Sequence, residues 1–202
     1  MNIDPDRFLI VVAGPTAVGK TSATIQMAKH FGFPVISSDS RQLYREMKIG
    51  TARPDESELQ EIMYCFSGYL SIHDFYNVSI FEKDVLKLLD KLFVASPAVF
   101  LSGGSGLYID AVCNGIDELP DPDPELRQKL RTLLEFKGIK SLQEKLQELD
   151  PGYYAVVDRN NPIRLLRAIE VSLITGIPYS VLRTNKPAKR SFSTVKLGLT
   201  LP

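Results

Sequence analysis

The sequence predicts an α/β fold, a parallel sheet with helices on both faces and an all-helical segment inserted late in the chain. Three observations carry this. A continuous apolar run, Phe8 to Ala13, ends in a Gly-rich loop; apolar runs then alternate with helical periodicity; and strand patterning disappears from about Asp121 to Lys189. The composition permits it: 202 residues, 44% hydrophobic and 24% charged, suffice for one substantial core carrying a smaller inserted unit.

Phe8 to Ala13 reads as a strand buried on both faces, and Lys20 to Phe31 as the helix after it. Phe33 to Ser38 and Ala98 to Ser102 are two further strands, each ending in a small or polar residue. Between them, SIFEKDVLKLLDKLF opens with a capping-box pattern, Ser79 with Glu82, and places Val85, Leu88, Leu89 and Leu92 on one helical face. After Val112, three prolines punctuate LPDPDPELRQKLRTLL, and SLQEKLQELD offers a second capping box, Ser141 with Glu144. VKLGLTL then alternates Val195, Leu197, Leu199 and Leu201 like a strand returning to the sheet. The expected organisation is an α/β core over 1–120, a helical insertion over 121–189 and a return strand over 190–202.

Gly14, Gly19, Lys20 and Thr21 fit G-x-x-x-x-G-K-[ST], the P-loop pattern, and make the fold P-loop NTPase-like. Residues Gly14, Pro15, Thr16, Ala17, Val18, Gly19, Lys20 and Thr21 are the expected phosphate-binding set. Gly supplies the left-handed turn, the helix N-terminus offers orphan N–H groups, Lys20 supplies charge, and the Thr21 hydroxyl can reach a Mg ion. Asp39 follows the second strand, where ligands of parallel sheets sit, so it can act as a general base, hold a metal-bound water or cap a helix. The strand AVFLS ends in Ser102 with no carboxylate, which separates the chain from an ordinary ATPase. GGSGLY, Gly103 to Tyr108, lets backbone approach a ligand and offers the Ser105 hydroxyl, and is equally a strand-to-helix turn. In NNPIRLLRAIEV, Asn161 reads as the cap and Pro162 as the first helical residue. Leu165, Leu166, Ile169 and Leu173 then share one face, and Arg164, Arg167 and Val171 the opposite one. That arginine pair is read either as a phosphate clamp or as a solvated face.

The formal net charge of +0 gives no global basic footprint, so RNA binding requires a local patch. Cys65, Cys113, His30 and His73 have no zinc-site spacing, and the cysteines read as reduced thiols. The N-terminus, MNIDPDRFLIVVAG, is neither a signal peptide nor long enough to span a bilayer, so the expected location is cytoplasmic, with no membrane and no protein partner implied.

GPTAVGKT, SSDSRQLYREMKIGTARP, LSGGSGLYIDAV and NPIRLLRAIEV with TGIP together resemble the tRNA dimethylallyltransferases, from about Leu9 to Leu201. The resemblance implies transfer of a dimethylallyl group from dimethylallyl diphosphate to the N6 amine of adenosine 37 in tRNA, releasing diphosphate, with Mg as cofactor. It gives Asp39 the role of base, with Lys20 and Thr21 at the diphosphate. Asp39, Ser40, Arg41, Gln42, Ser105, Arg127, Ile163, Arg164, Leu165, Leu166 and Arg167 match tRNA-contacting positions, the helical insertion gripping the anticodon stem-loop. Arg131, Lys137, Lys186, Lys189 and Arg190 are further candidate phosphate contacts. Two departures stand out: Tyr64 and Cys65 occupy the place of a His pair in many members, and the chain stops at Pro202 where the family continues, as a C-terminally truncated piece would. The competing readings are a P-loop small-molecule kinase, which would consume ATP, and a non-catalytic RNA-binding relative.

Overall fold

The computed structural model describes residues 6–51, 53–60 and 62–200. The first five residues, Ala52 of the GTARP stretch, and Leu201 and Pro202 of the expected return segment lie outside them. The elements are β1 (Phe8–Ala13), α1 (Lys20–Phe31), β2 (Val35–Ser37), α2 (Glu56–Leu59), β3 (Tyr64–Cys65), α3 (Val78–Leu92), β4 (Ala98–Ser102), α4 (Gly106–Asn114), α5 (Pro124–Leu149), α6 (Pro151–Tyr154), α7 (Pro162–Thr175), α8 (Tyr179–Leu182) and β5 (Ser193–Gly198). Contacts divide the chain into one unit running up to Ile116 and resuming at Pro187, and a second, Asp117–Lys186.

The first unit is a five-stranded parallel sheet in the order β3-β2-β4-β1-β5. Alternation along β1 explains why both faces are covered. Leu9 and Val11 enter a core with Phe81, Val85 and Leu89 of α3 and Val112 of α4, whereas Ile10 and Val12 pack with Ala28 of α1. Phe81 is fully buried, and truncating it would cost about 3–5 kcal/mol. At the edge, β5 leaves Val195 and Leu197 about two-fifths exposed.

Asn77 caps α3, accepting the Ile80 N–H at 2.9 Å. The expected Ser79–Glu82 box is therefore corrected: Glu82 pairs instead with Arg190, whose Nε donates to Val112 O at 2.9 Å and whose Nη2 donates to Ala111 O at 2.6 Å. Arg190, only 12% exposed, caps the end of α4 and is no free phosphate contact. Beside it the segment returning from the second unit is pinned, Ala188 N–H donating to Asn114 O at 2.6 Å.

The second unit is helical around Leu130, Leu142, Leu146, Tyr153, Leu165 and Ile169. Gly138 (φ 71°, ψ 177°) breaks α5 into two helical stretches, and Ser141 donates to Gly138 O instead of forming the expected box with Glu144. The unit begins and ends a few residues earlier than the composition suggested, because the Asp117 carboxylate accepts from Thr184 Oγ1 at 2.6 Å and Asn185 N–H at 3.1 Å. Asn161 caps α7 with Pro162 at its first position. Val171 is buried and Leu173 is 40% exposed, so the apolar stripe of α7 is rotated from the one expected. No helix among the described residues is long and apolar enough to cross a membrane.

Candidate active site

β1 delivers the chain into the P-loop, and three residues beyond it show how tightly its backbone is constrained. A Cβ on Gly14 would lie 2.5 Å from the Leu199 carbonyl oxygen, while Leu199 N–H donates to Ala13 O at 2.8 Å. Ala17 (φ 66°) and Gly19 (φ 87°) take left-handed conformations that turn the loop into α1. Gly19 caps α1 without a side chain, so the first-turn N–H groups and the positive end of the helix dipole are offered to an anion. Lys20 Nζ donates back to Pro15 O.

Ser102 ends β4, the strand beside the P-loop strand. Thr24 Oγ1 donates to Lys20 O at 2.8 Å, and so accepts from Ser102 Oγ at 2.9 Å. The position at which an ATPase would carry a metal-holding acid thus serves as a buried tie between sheet and helix.

Asp39 opens a tight turn. Its Oδ1 accepts the Arg41 N–H at 2.9 Å, its backbone oxygen accepts the Gln42 N–H, and no helix follows, which removes the helix-cap reading. The GGSG segment clasps this turn. A Cβ on Gly103 would stand 2.5 Å from Ser38 C and 2.7 Å from Asp39 N, so only glycine allows the approach. Ser105 Oγ accepts the Ser40 N–H at 2.9 Å and donates to Ser40 Oγ at 3.1 Å.

These pieces enclose one cavity of about 700 Å³. Of the expected residues it brings together Thr16, Ala17, Gly19, Lys20 and Thr21 with Asp39, Ser40, Arg41, Gln42 and Ser105; Gly14, Pro15 and Val18 shape the loop from behind. Its wall also includes Thr51, Arg53, Glu58 and Tyr64, to which sequence reading gave no role. The sequence signals it only in part: GTARP belongs to the stretch that carries the family resemblance, but nothing in its pattern gives the arginine a function. Three cations (Lys20, Arg41, Arg53) against two carboxylates (Asp39, Glu58) leave the wall net positive, suited to an anion. Burial, helped by the negative charges of Asp39 and Glu58, pushes the Tyr64 phenol up to about 12, against a smaller opposing pull from Ser37. Tyr64 therefore stays neutral, its hydroxyl donating to Gln42 Oε1 at 3.4 Å.

Gln42 is a correction. Its side chain is 4% exposed, accepts from Ser37 Oγ at 2.9 Å and donates to Thr51 O at 2.9 Å, so it organises the loop rather than reaching RNA. In the helical unit, Leu165 is likewise corrected, being fully buried in that unit's core. Leu166 packs beside it, half-buried, while Ile163 is 77% exposed and Arg164 is exposed. Arg127 and Arg167 both bond the buried Glu170.

The profile of the IPP transferase family matches residues 42–202. A tRNA dimethylallyltransferase 2 of Parabacteroides distasonis is 46% identical over 191 residues, 95% of this chain and 64% of that protein. A tRNA dimethylallyltransferase of Christiangramia forsetii is 47% identical over 96% of this chain and 64% of its own length. The chain therefore spans just under two thirds of these relatives. Among solved structures, the tRNA isopentenylpyrophosphate transferase of Bacillus halodurans is 33% identical with a TM-score of 0.54, covering 86% of this chain and 57% of that one. A eukaryotic dimethylallyltransferase acting on tRNA shares the fold at a TM-score of 0.76 and 24% identity, over 96% of this chain and 48% of its own.

Proposed function

The chain belongs to the IPP transferase family, and on that premise we propose that its cavity transfers a dimethylallyl group from dimethylallyl diphosphate to the N6 amine of adenosine 37 in the anticodon loop of tRNA. The observation that carries this reading is the composition of the cavity: a P-loop and Asp39 share it, while β4 ends in the buried Ser102–Thr24 tie instead of an acid.

In the reaction the N6–carbon bond forms as the allylic carbon–oxygen bond breaks. The electron pair leaves on the diphosphate, and the amine proton passes to a base. Lys20 and the first N–H groups of α1 stabilise the growing negative charge on the leaving group. Asp39 takes the proton. Its Oδ1 is held by the Arg41 N–H, so Oδ2, which faces Gly104, is the oxygen left to receive it. An anticodon loop is already single-stranded, which makes presentation of its base comparatively inexpensive.

The described residues contain no group of three or more His, Cys, Asp or Glu side chains placed to hold a metal. Thr21, Ser22 and Asp39 on the cavity wall nevertheless fit a Mg ion that draws most of its ligands from diphosphate oxygens and water. When bound, such an ion neutralises charge on the diphosphate. Arg127, Ile163, Arg164, Leu166 and Arg167 supply the tRNA-binding surface of the helical unit, and the reaction is cytoplasmic.

Incubation of the protein with labelled dimethylallyl diphosphate, Mg and unmodified tRNA tests the reading. Label entering RNA is expected; ADP formation from ATP, dependent on a small-molecule acceptor, would replace it with the kinase reading.

A further inference from the structure

Arg53 lines the same cavity as Lys20 and Thr21. Its guanidinium lies against Gly68: a Cβ there would fall 2.0 Å from Nη1, 2.3 Å from Cζ and 2.4 Å from Nη2. These distances place the Nη1–Cζ–Nη2 end of the guanidinium against the glycine. Gly68 has φ +63°, and any side chain would both strain this turn and displace the arginine.

One donor of that guanidinium is unsatisfied. Among the described residues, Arg53 Nη1 is buried without a hydrogen-bond partner. Glu58, the other charged newcomer on the wall, directs Oε2 to the Asp55 N–H at 3.0 Å to close the cap of α2. A guanidinium cannot shed its proton, so Arg53 stays charged on the cavity wall, where an anion would offset it.

The seat is also built into the turn that carries Asp39. The Gln42 carbonyl accepts the Gly68 N–H at 2.8 Å, and the Gln42 side chain donates to Thr51 O at 2.9 Å, two residues before Arg53. One residue thus fixes both the arginine's segment and the glycine it rests on.

We propose that Arg53, seated on Gly68, is a substrate-binding residue that gives the diphosphate a second cation beside Lys20. This rests on the reading of the P-loop as a diphosphate site. The planar fork of donors matches phosphate oxygens, which a point charge such as Lys20 engages without orientation.

The test is calorimetric binding of inorganic diphosphate with Mg to the wild-type protein, Arg53→Gln, Arg53→Lys, Gly68→Ala and Lys20→Ala, with tRNA binding and thermal melting measured alongside. Arg53→Gln and Gly68→Ala are each expected to weaken diphosphate binding about 10- to 100-fold, the worth of a charge-assisted hydrogen bond, while tRNA affinity changes less than about 3-fold. Arg53→Lys should recover only part of the loss. Wild-type affinity in folded Arg53→Gln, or a loss confined to tRNA binding, overturns the proposal. A lowered melting temperature with unchanged diphosphate affinity does so too, leaving Arg53 a purely structural role. If the wild-type protein itself binds no diphosphate and Lys20→Ala changes nothing, the P-loop reading fails first and the proposal with it.

Discussion

Arg127 meets Glu170 fork to fork, Nε on Oε1 at 3.0 Å and Nη2 on Oε2 at 2.6 Å, around a carboxylate that is 1% exposed. Arg167 shares Oε2 at 2.8 Å and sends Nη2 to Pro120 O at 2.8 Å. Two cations around one buried anion leave a net charge of +1 on a rigid frame. Arg127→Ala uncovers the carboxylate, and although Arg167 still holds one oxygen, the loss of stability should reach about 3 kcal/mol. Urea unfolding measures it, and a loss below about 1 kcal/mol would mean that the pair is solvent-screened and structurally idle.

The same geometry gives Arg167 a second test. Arg167→Ala should weaken tRNA binding and reduce the slope of log affinity against log salt by about one unit, the signature of one lost phosphate contact. An unchanged slope in a destabilised but folded variant would assign Arg167 wholly to the Glu170 frame.

For Asp39→Asn, the amide can keep the Arg41 N–H bond and therefore the turn, while basicity is lost. Transfer should fall by roughly 10²–10⁴-fold with little change in tRNA binding. Single-turnover rates across a Mg titration check this: recovery of most of the rate at high Mg would make Asp39 a metal organiser, and a near-normal rate at ordinary Mg would remove it from the chemistry.

Gly103→Ala perturbs the site without removing any of its functional groups. The added methyl meets Ser38 C and Asp39 N, both backbone atoms that cannot rotate away. A displacement of Asp39 by about 1 Å should cost on the order of 10²-fold in transfer, more than the accompanying loss of stability would explain. Wild-type transfer in Gly103→Ala would show that the clasp is not needed.

Alkaline pH probes Tyr64. An unfolded phenol titrates near 10, whereas burial first, then Asp39 and Glu58, push the folded one up to about 12. The folded state holds this proton more tightly, so its contribution is complete below the unfolded value and is lost as pH rises through the folded one. Urea midpoints should drop between about pH 10 and about pH 12, less steeply in Tyr64→Phe. Tyr69, which burial also pushes up to about 12, keeps the drop from vanishing. Identical pH slopes in the two proteins would contradict the assignment.

β1 and β4 were legible to the residue because each combines an apolar run with an abrupt chemical stop, the P-loop or Ser102, and α1 because the P-loop opens it and Gly32 ends it. The start of α3 was misread because Ser79–Glu82 and Asn77–Ile80 are both good caps locally, and only the pull of Arg190 on Glu82 decides between them. β3, two residues long, carries no periodicity at all. The P-loop, Asp39 and GGSG announced themselves through glycines and spacing. Arg53, Glu58 and Tyr64 did not, because they reach the cavity from irregular backbone, a single helical turn and a minimal strand. Gln42 and Leu165 were misjudged for the opposite reason: position in a motif says nothing about which way a side chain turns once its neighbours pack.

The pairing of β5 with β1 has a consequence for biosynthesis. Phe8 lies beside Ser193, about 185 residues later, so one edge of the P-loop strand stays open until at least that much of the chain is made. The helical unit, Asp117–Lys186, is contiguous and rich in local contacts, and can complete its core as soon as it leaves the ribosome. The unit that holds the phosphate loop begins before the helical unit and closes after it, so its unpaired edge is exposed to wrong partners throughout that interval.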